Sequence, residues 1–101
     1  MTIVTLLEIP EQVEIDSIRV YWHNIEPGKG YVTITCWGCA WNSYFGSMSG
    51  KSIQQFFAEA DTSYLVDKLG STKWIRPTKQ HKEYLTRVIN AVKNAYYLGI
   101  R

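Results

Sequence analysis

Asp16-Ser17-Ile18-Arg19-Val20-Tyr21-Trp22-His23-Asn24-Ile25, then Glu26-Pro27-Gly28-Lys29-Gly30, then Tyr31-Val32-Thr33-Ile34-Thr35-Cys36-Trp37 decides the fold of this chain. The outer segments are rich in β-branched and aromatic residues and alternate along their length, as half-buried strands do. Proline fixes φ and glycine permits positive φ, so the middle segment is a turn. Two strands around a short Gly-containing loop form an antiparallel hairpin. Side chains alternate faces with period two, so a one-residue slip would turn every side chain over. Ile18, Val20 and Trp22 share a face with Val32, Ile34 and Cys36 only if the loop holds an odd number of residues. Pro27-Gly28-Lys29, or Glu26 to Gly30, meets that condition. The opposite face then carries Arg19, Tyr21, His23, Tyr31, Thr33, Thr35 and Trp37, which are polar or amphipathic.

Working outward, Thr2 to Ile9 reads as a further strand, ended by Pro10, which cannot donate to a ladder. Glu11 to Glu14 is an acidic connector. Ala40 to Phe45 reads as a fourth strand and Gly46 to Lys51 as a loop. Helical periodicity then takes over. Ser52 precedes a stripe of Ile53, Phe56, Phe57 and Ala60, with the serine as cap. Asp61-Thr62-Ser63 starts a second short helix that runs through Leu65 and Leu69, with Gly70 as its stop. Ser71 to Thr78 is a polar connector. Tyr84, Leu85, Val88, Ile89, Val92, Ala95 and Tyr96 recur at i, i+3, i+4 and i+7, the pattern of a long amphipathic helix, and Gly99 ends it. The fold class expected is α+β in a single domain, residues 1–101. It has an antiparallel sheet of about four strands in the N-terminal half, followed by two short helices and one long C-terminal amphipathic helix packed on one sheet face.

The 101 residues amount to one domain, and 46% of them are apolar, enough for a modest core. Fourteen aromatics (four Trp, seven Tyr, three Phe) are too many for all to be interior. No apolar run approaches the roughly 18 residues that span a bilayer. No Lys or Arg precedes the first apolar stretch, as a secretory signal would require. The expectation is a cytoplasmic protein without a membrane partner. Charge is lopsided: residues 1–61 carry three bases against seven acids, a net −4, and residues 62–101 carry eight bases against two acids, a net +6. A basic half can meet nucleic acid or an acidic protein, or can simply neutralise the other half of its own chain.

The motifs that could carry chemistry fail on context, and no catalytic, cofactor or metal residue is assigned. Cys36-Trp37-Gly38-Cys39 lies between two strands, whereas a redox Cys-x-x-Cys opens a helix. A zinc site would need a second ligand pair, and only His23 and His81 remain. Ordinary reduced cysteines are the default, with a disulfide across a tight turn as the other reading. Gly46-Ser47-Met48-Ser49-Gly50-Lys51-Ser52 resembles a phosphate-binding loop, but three residues separate its glycines where four are needed. A milder version survives: Gly50, Lys51 and Ser52 form a candidate anion site at a helix N-terminus. His23 and His81 are read as solvated.

The sheet face with Arg19, Tyr21, Tyr31 and Trp37 is the most informative feature, together with Lys82, Arg87 and Lys93 on the basic side of the last helix. Such aromatics can stabilise the sheet itself, anchor a protein partner, stack nucleic-acid bases, or form a homodimer. The acidity of this half of the chain argues against nucleic acid, because phosphate contacts dominate that binding.

Gly28 to Tyr44, with its Tyr31-Val32-Thr33-Ile34-Thr35-Cys36-Trp37-Gly38-Cys39-Ala40-Trp41-Asn42-Ser43 centre, resembles a recurring stretch in small phage and prophage proteins of enteric bacteria. The resemblance continues through Met48, Phe56-Phe57, Asp61 to Leu65 and Tyr84-Leu85. It implies a protein of the host cytoplasm, made during infection or carried in a prophage. It supplies no catalytic residue. Phage accessory proteins of this size act by binding one host or phage macromolecule, most readily a protein complex, and inhibition of a defence system such as CRISPR is one such role.

Overall fold

A computed structural model of the chain describes residues 3–12, 15–70 and 78–98. Four strands, β1 (Ile3–Ile9), β2 (Ile18–Glu26), β3 (Lys29–Cys36) and β4 (Cys39–Phe45), precede three helices, α1 (Ile53–Glu59), α2 (Thr62–Gly70) and α3 (Lys79–Tyr97). The strands form one antiparallel sheet in the order β1-β2-β3-β4. All helices lie on one face of it, which is the expected α+β architecture.

The expected faces are present. Ile18, Val20 and Trp22 oppose Cys36, Ile34 and Val32, and all six are buried. The turn that sets this register differs from either expected loop. Pro27 and Gly28 alone lie between the paired residues Glu26 and Lys29, an even count. Parity is restored by a register shift between Asn24 and Glu26, where Ile25 is the extra residue of a bulge. Gly28 sits at φ 85°, open to glycine without cost.

The second hairpin is tighter than the sequence suggested. Cys36 pairs with Cys39 across Trp37 and Gly38, so β4 begins one residue earlier, at the second cysteine. Trp37 (φ 49°) and Gly38 (φ 75°) are both left-handed, the signature of a type I′ turn. Trp37 is therefore a turn residue at the tip of the hairpin and not a member of the strand face.

The inner sheet face meets the apolar sides of the helices. Trp22 packs edge-on against Phe57 of α1, with ring centroids 5.3 Å apart. Leu85, Val88, Ile89, Val92 and Ala95 of α3 are buried, with Ala91 added to the stripe read from periodicity. Ser52 caps α1 by accepting from Gln55 N, and Thr78 caps α3 by accepting from His81 N. Gly70 lies inside α2, not beyond its end: it is buried against Leu85, where a Cβ would come within 3.1 Å of Cδ2. The reading of Gly99 as the end of the last helix and of Thr2 as the start of the first strand falls outside the described residues, as does most of the Ser71–Thr78 connector.

Candidate functional site

The outer sheet face is built by period-two alternation and by strand register. Three cross-strand rows result: Val4, His23, Tyr31 and Tyr44; Leu6, Tyr21, Thr33 and Asn42; Glu8, Arg19, Thr35 and Ala40. None of these positions is buried, so the helical layer leaves the whole face open. Beyond Val4 the first row is aromatic. His23 and Tyr31 stand 5.5 Å apart by ring centroid, and Tyr31 and Tyr44 5.0 Å apart. Contacts at that spacing are favourable tilted pairs that fix ring orientation. In the second row Asn42 Nδ2 donates to Thr33 Oγ1 at 2.5 Å. The third row sets Glu8 directly opposite Arg19, so the one arginine on the face has an acidic neighbour.

Of the residues proposed from sequence, Arg19, Tyr21 and Tyr31 therefore share this face. Trp37 does not: it stands 75% exposed at the hairpin tip, with its ring 6.5 Å from that of Tyr84 on α3. Sequence reasoning missed Val4, Leu6 and Tyr44 as members of the face. The alternation of Ala40, Asn42 and Tyr44 in β4 could have placed Tyr44 beside Tyr31, had the Cys36–Cys39 pairing been recognised.

The basic side of α3 is largely engaged within the chain. Lys82 Nζ lies 3.8 Å from Asp67 Oδ1. Arg87 sits over the Tyr84 ring, 5.9 Å from its centroid. Lys93 donates to the carbonyl of Ala60, and desolvation there draws its pKa below the ordinary lysine value. Lys82 and Lys93 thus tie α3 to α2 and to the end of α1, while the Arg87 contact lies within α3.

The loop before α1 is likewise occupied. Lys51 Nζ pairs with Glu59 at 3.2 Å, and its amide donates to Met48 O. Ser52 Oγ accepts from Gln55 N, and Ile53 N donates to Asn24 Oδ1 at 2.8 Å. Both donors of Lys51 and the Ile53 amide, three of the groups that would hold an anion there, thus have partners in the protein.

At the other end of the sheet, polar groups cluster under the Cys36–Cys39 hairpin. Cys36 is buried with Sγ 3.1 Å from Tyr84 Oη, and Cys39 is half-buried; both are free thiols. Burial, and then the hydrogen bond to Cys36, hold the Tyr84 hydroxyl far above the ordinary phenol range. Trp41 Nε1 donates to His81 Nε2 at 2.9 Å. His81 is therefore a half-buried partner of a core tryptophan and not the solvated side chain expected. Among the described residues no group of three or more His, Cys, Asp or Glu could hold a metal ion, and no helix is long and apolar enough to cross a membrane.

These features define a two-layer α+β protein whose helices cover one side of a meander sheet and leave an aromatic-rich face open. The model of a phage family, Phage_phiTE_072, matches residues 1–96, and the chain belongs to that family. Searches of curated proteins and of solved structures found no match.

Proposed function

We propose that this phage-family protein works without catalysis, by binding a host or phage protein complex through the outer sheet face. The observation that carries the reading is the open aromatic row of His23, Tyr31 and Tyr44. Tyrosines on a rigid sheet offer large contact area at low entropic cost, and such residues dominate interface energetics. Trp37 adds an independent reason. A left-handed backbone costs a non-glycine residue on the order of 1 kcal/mol, and an exposed indole recovers little of that by burial. The backbone disfavours tryptophan at the tip and its ring contact with Tyr84 leaves it 75% exposed, whereas an anchor for a partner's pocket accounts for it.

Inhibition of a bacterial defence complex, CRISPR effectors included, fits such a binder and remains one member of the class. Arg19 faces Glu8 and the face has few cations, which favours protein over nucleic acid. The test is capture from infected host cells by wild type and by Tyr31→Ala/Tyr44→Ala, with electrophoretic shift of single-stranded DNA and RNA run alongside. The expected result is one complex captured by wild type and lost in the variant, with no shift at low salt. A shift that weakens steeply as salt rises would move the reading to the nucleic-acid alternative.

A further inference from the structure

We propose that the free edge of β1 pairs with β1 of a second copy, joining two sheets into one eight-stranded sheet about a two-fold axis. The proposal does not rest on the partner reading of the outer face.

The two edges of the sheet are treated differently. At β4, α2 packs against the strand and Lys68 Nζ lies 5.6 Å from the Phe45 ring centroid, so a helix and a cation sit over its Phe45 end. Among the described residues no helix packs against β1 to that extent. Ile3-Val4-Thr5-Leu6-Leu7 has no charge, proline or bulge, the devices by which edge strands avoid pairing. Ile3 is 54%, Val4 59% and Leu6 43% exposed, which leaves apolar side chains bare on both faces of one strand. On the helix side, the layer stops short of β1. A cleft of about 630 Å³ remains there, walled by Ile3, Thr5, Trp22, Gln54 and Tyr96. Among the described residues no strand lies beside the outward backbone N–H and C=O groups of alternate β1 residues.

The second copy is favoured by charge. An isologous contact brings every residue near its own copy, so a charged edge would repel itself. The five uncharged residues can meet themselves without such a penalty. An axis normal to the sheet keeps the helices of both copies on one side. Opposed residues must then share a face, which puts the axis through a residue. Centred on Thr5, the register sets Ile3 against Leu7 and Val4 against Leu6 of the other copy, and Glu8 falls outside it. Covering Ile3, Val4 and Leu6 removes on the order of 100 Å² each, about 600 Å² over the two copies, which puts the contact below the stable class of about 1,200–2,000 Å² and among weak, concentration-dependent associations. In that register the Val4–His23 row of each outer face runs on into the Leu6–Tyr21 row of the other copy.

Sedimentation velocity over a concentration series tests the pairing. Wild type should move from the 11.7 kDa monomer towards twice that mass as its concentration is raised towards millimolar. Val4→Lys/Leu6→Lys should stay monomeric with an unchanged circular dichroism spectrum, and Tyr31→Lys/Tyr44→Lys should still dimerise. In a second measurement, Thr5→Cys should form a disulfide-linked dimer under mild oxidation, because the axis brings that residue against itself, and wild type should form none. A wild type that remains monomeric, a dimer broken only by the outer-face variant, or a Thr5→Cys chain that does not cross-link would each overturn the proposal.

Discussion

Tyr31 and Tyr44 oppose each other across β3 and β4, 5.0 Å apart, on a sheet face that no helix covers. Exposed cross-strand pairs contribute only about 0.2–1 kcal/mol to a sheet. Removing both rings should therefore leave the fold intact, which makes their loss a clean probe of binding.

Asn24 ties the sheet to the first helix. Its Oδ1 accepts from Ile53 N at 2.8 Å and its Nδ2 donates to Gln54 Oε1 at 2.8 Å, bridging 29 and 30 residues of sequence. Asn24→Ala would leave the first amide of α1 without this acceptor. The expected cost is about 1–2 kcal/mol, read in a thermal melt as a fall of about 5–10 °C in Tm. Asn24→Asp, which keeps an acceptor, should recover most of it.

Trp37→Asn should separate stability from binding. It sets an Asn-Gly pair into a type I′ turn, the dipeptide that turn prefers. Urea midpoints should be unchanged or higher, since relief of the backbone cost offsets the lost contact with Tyr84. Capture of the partner should fall at least tenfold. A variant that is both destabilised and fully competent would show the indole to be structural.

Tyr84 predicts the alkaline limit of the fold. Its folded pKa is raised, by burial first and the Cys36 hydrogen bond second. The folded chain thus keeps a proton that an unfolded phenol releases near pH ~10. That stability is complete below the unfolded value and is lost as pH climbs past it. Between about pH 9 and 11 the urea midpoint should drop more in wild type than in Tyr84→Phe. Equal slopes would remove Tyr84 from the account.

Much of this architecture was legible in the chain, and the gaps have definite physical origins. Alternation in Ile18–Trp22 and Val32–Cys36 gave the two faces, because parity is a local property of side-chain direction. The 3.6-residue period gave α3 nearly whole. The bulge at Ile25 was not legible: an odd five-residue loop and a two-residue turn with one extra strand residue satisfy the same parity. Trp37 was misplaced because tryptophan favours strands, while the turn at Trp37-Gly38 forces it left-handed. The Trp41–His81 hydrogen bond spans 40 residues and depends on how α3 crosses the sheet, which no local pattern encodes. For the same reason the basic stripe of α3 read as a surface, when Asp67 and the Ala60 carbonyl take up Lys82 and Lys93.

Site-specific photo-crosslinking tests the binding face most directly. Tyr44 on the outer face and Tyr64 on α2 are the same residue type with the same 44% exposure, on opposite layers of the protein. Each is replaced in turn by a benzophenone amino acid, and the chain is expressed in host cells during infection and irradiated. The account predicts a discrete adduct with one macromolecule from position 44 and none from position 64. An adduct from position 64 alone, or equal labelling from both, would contradict it.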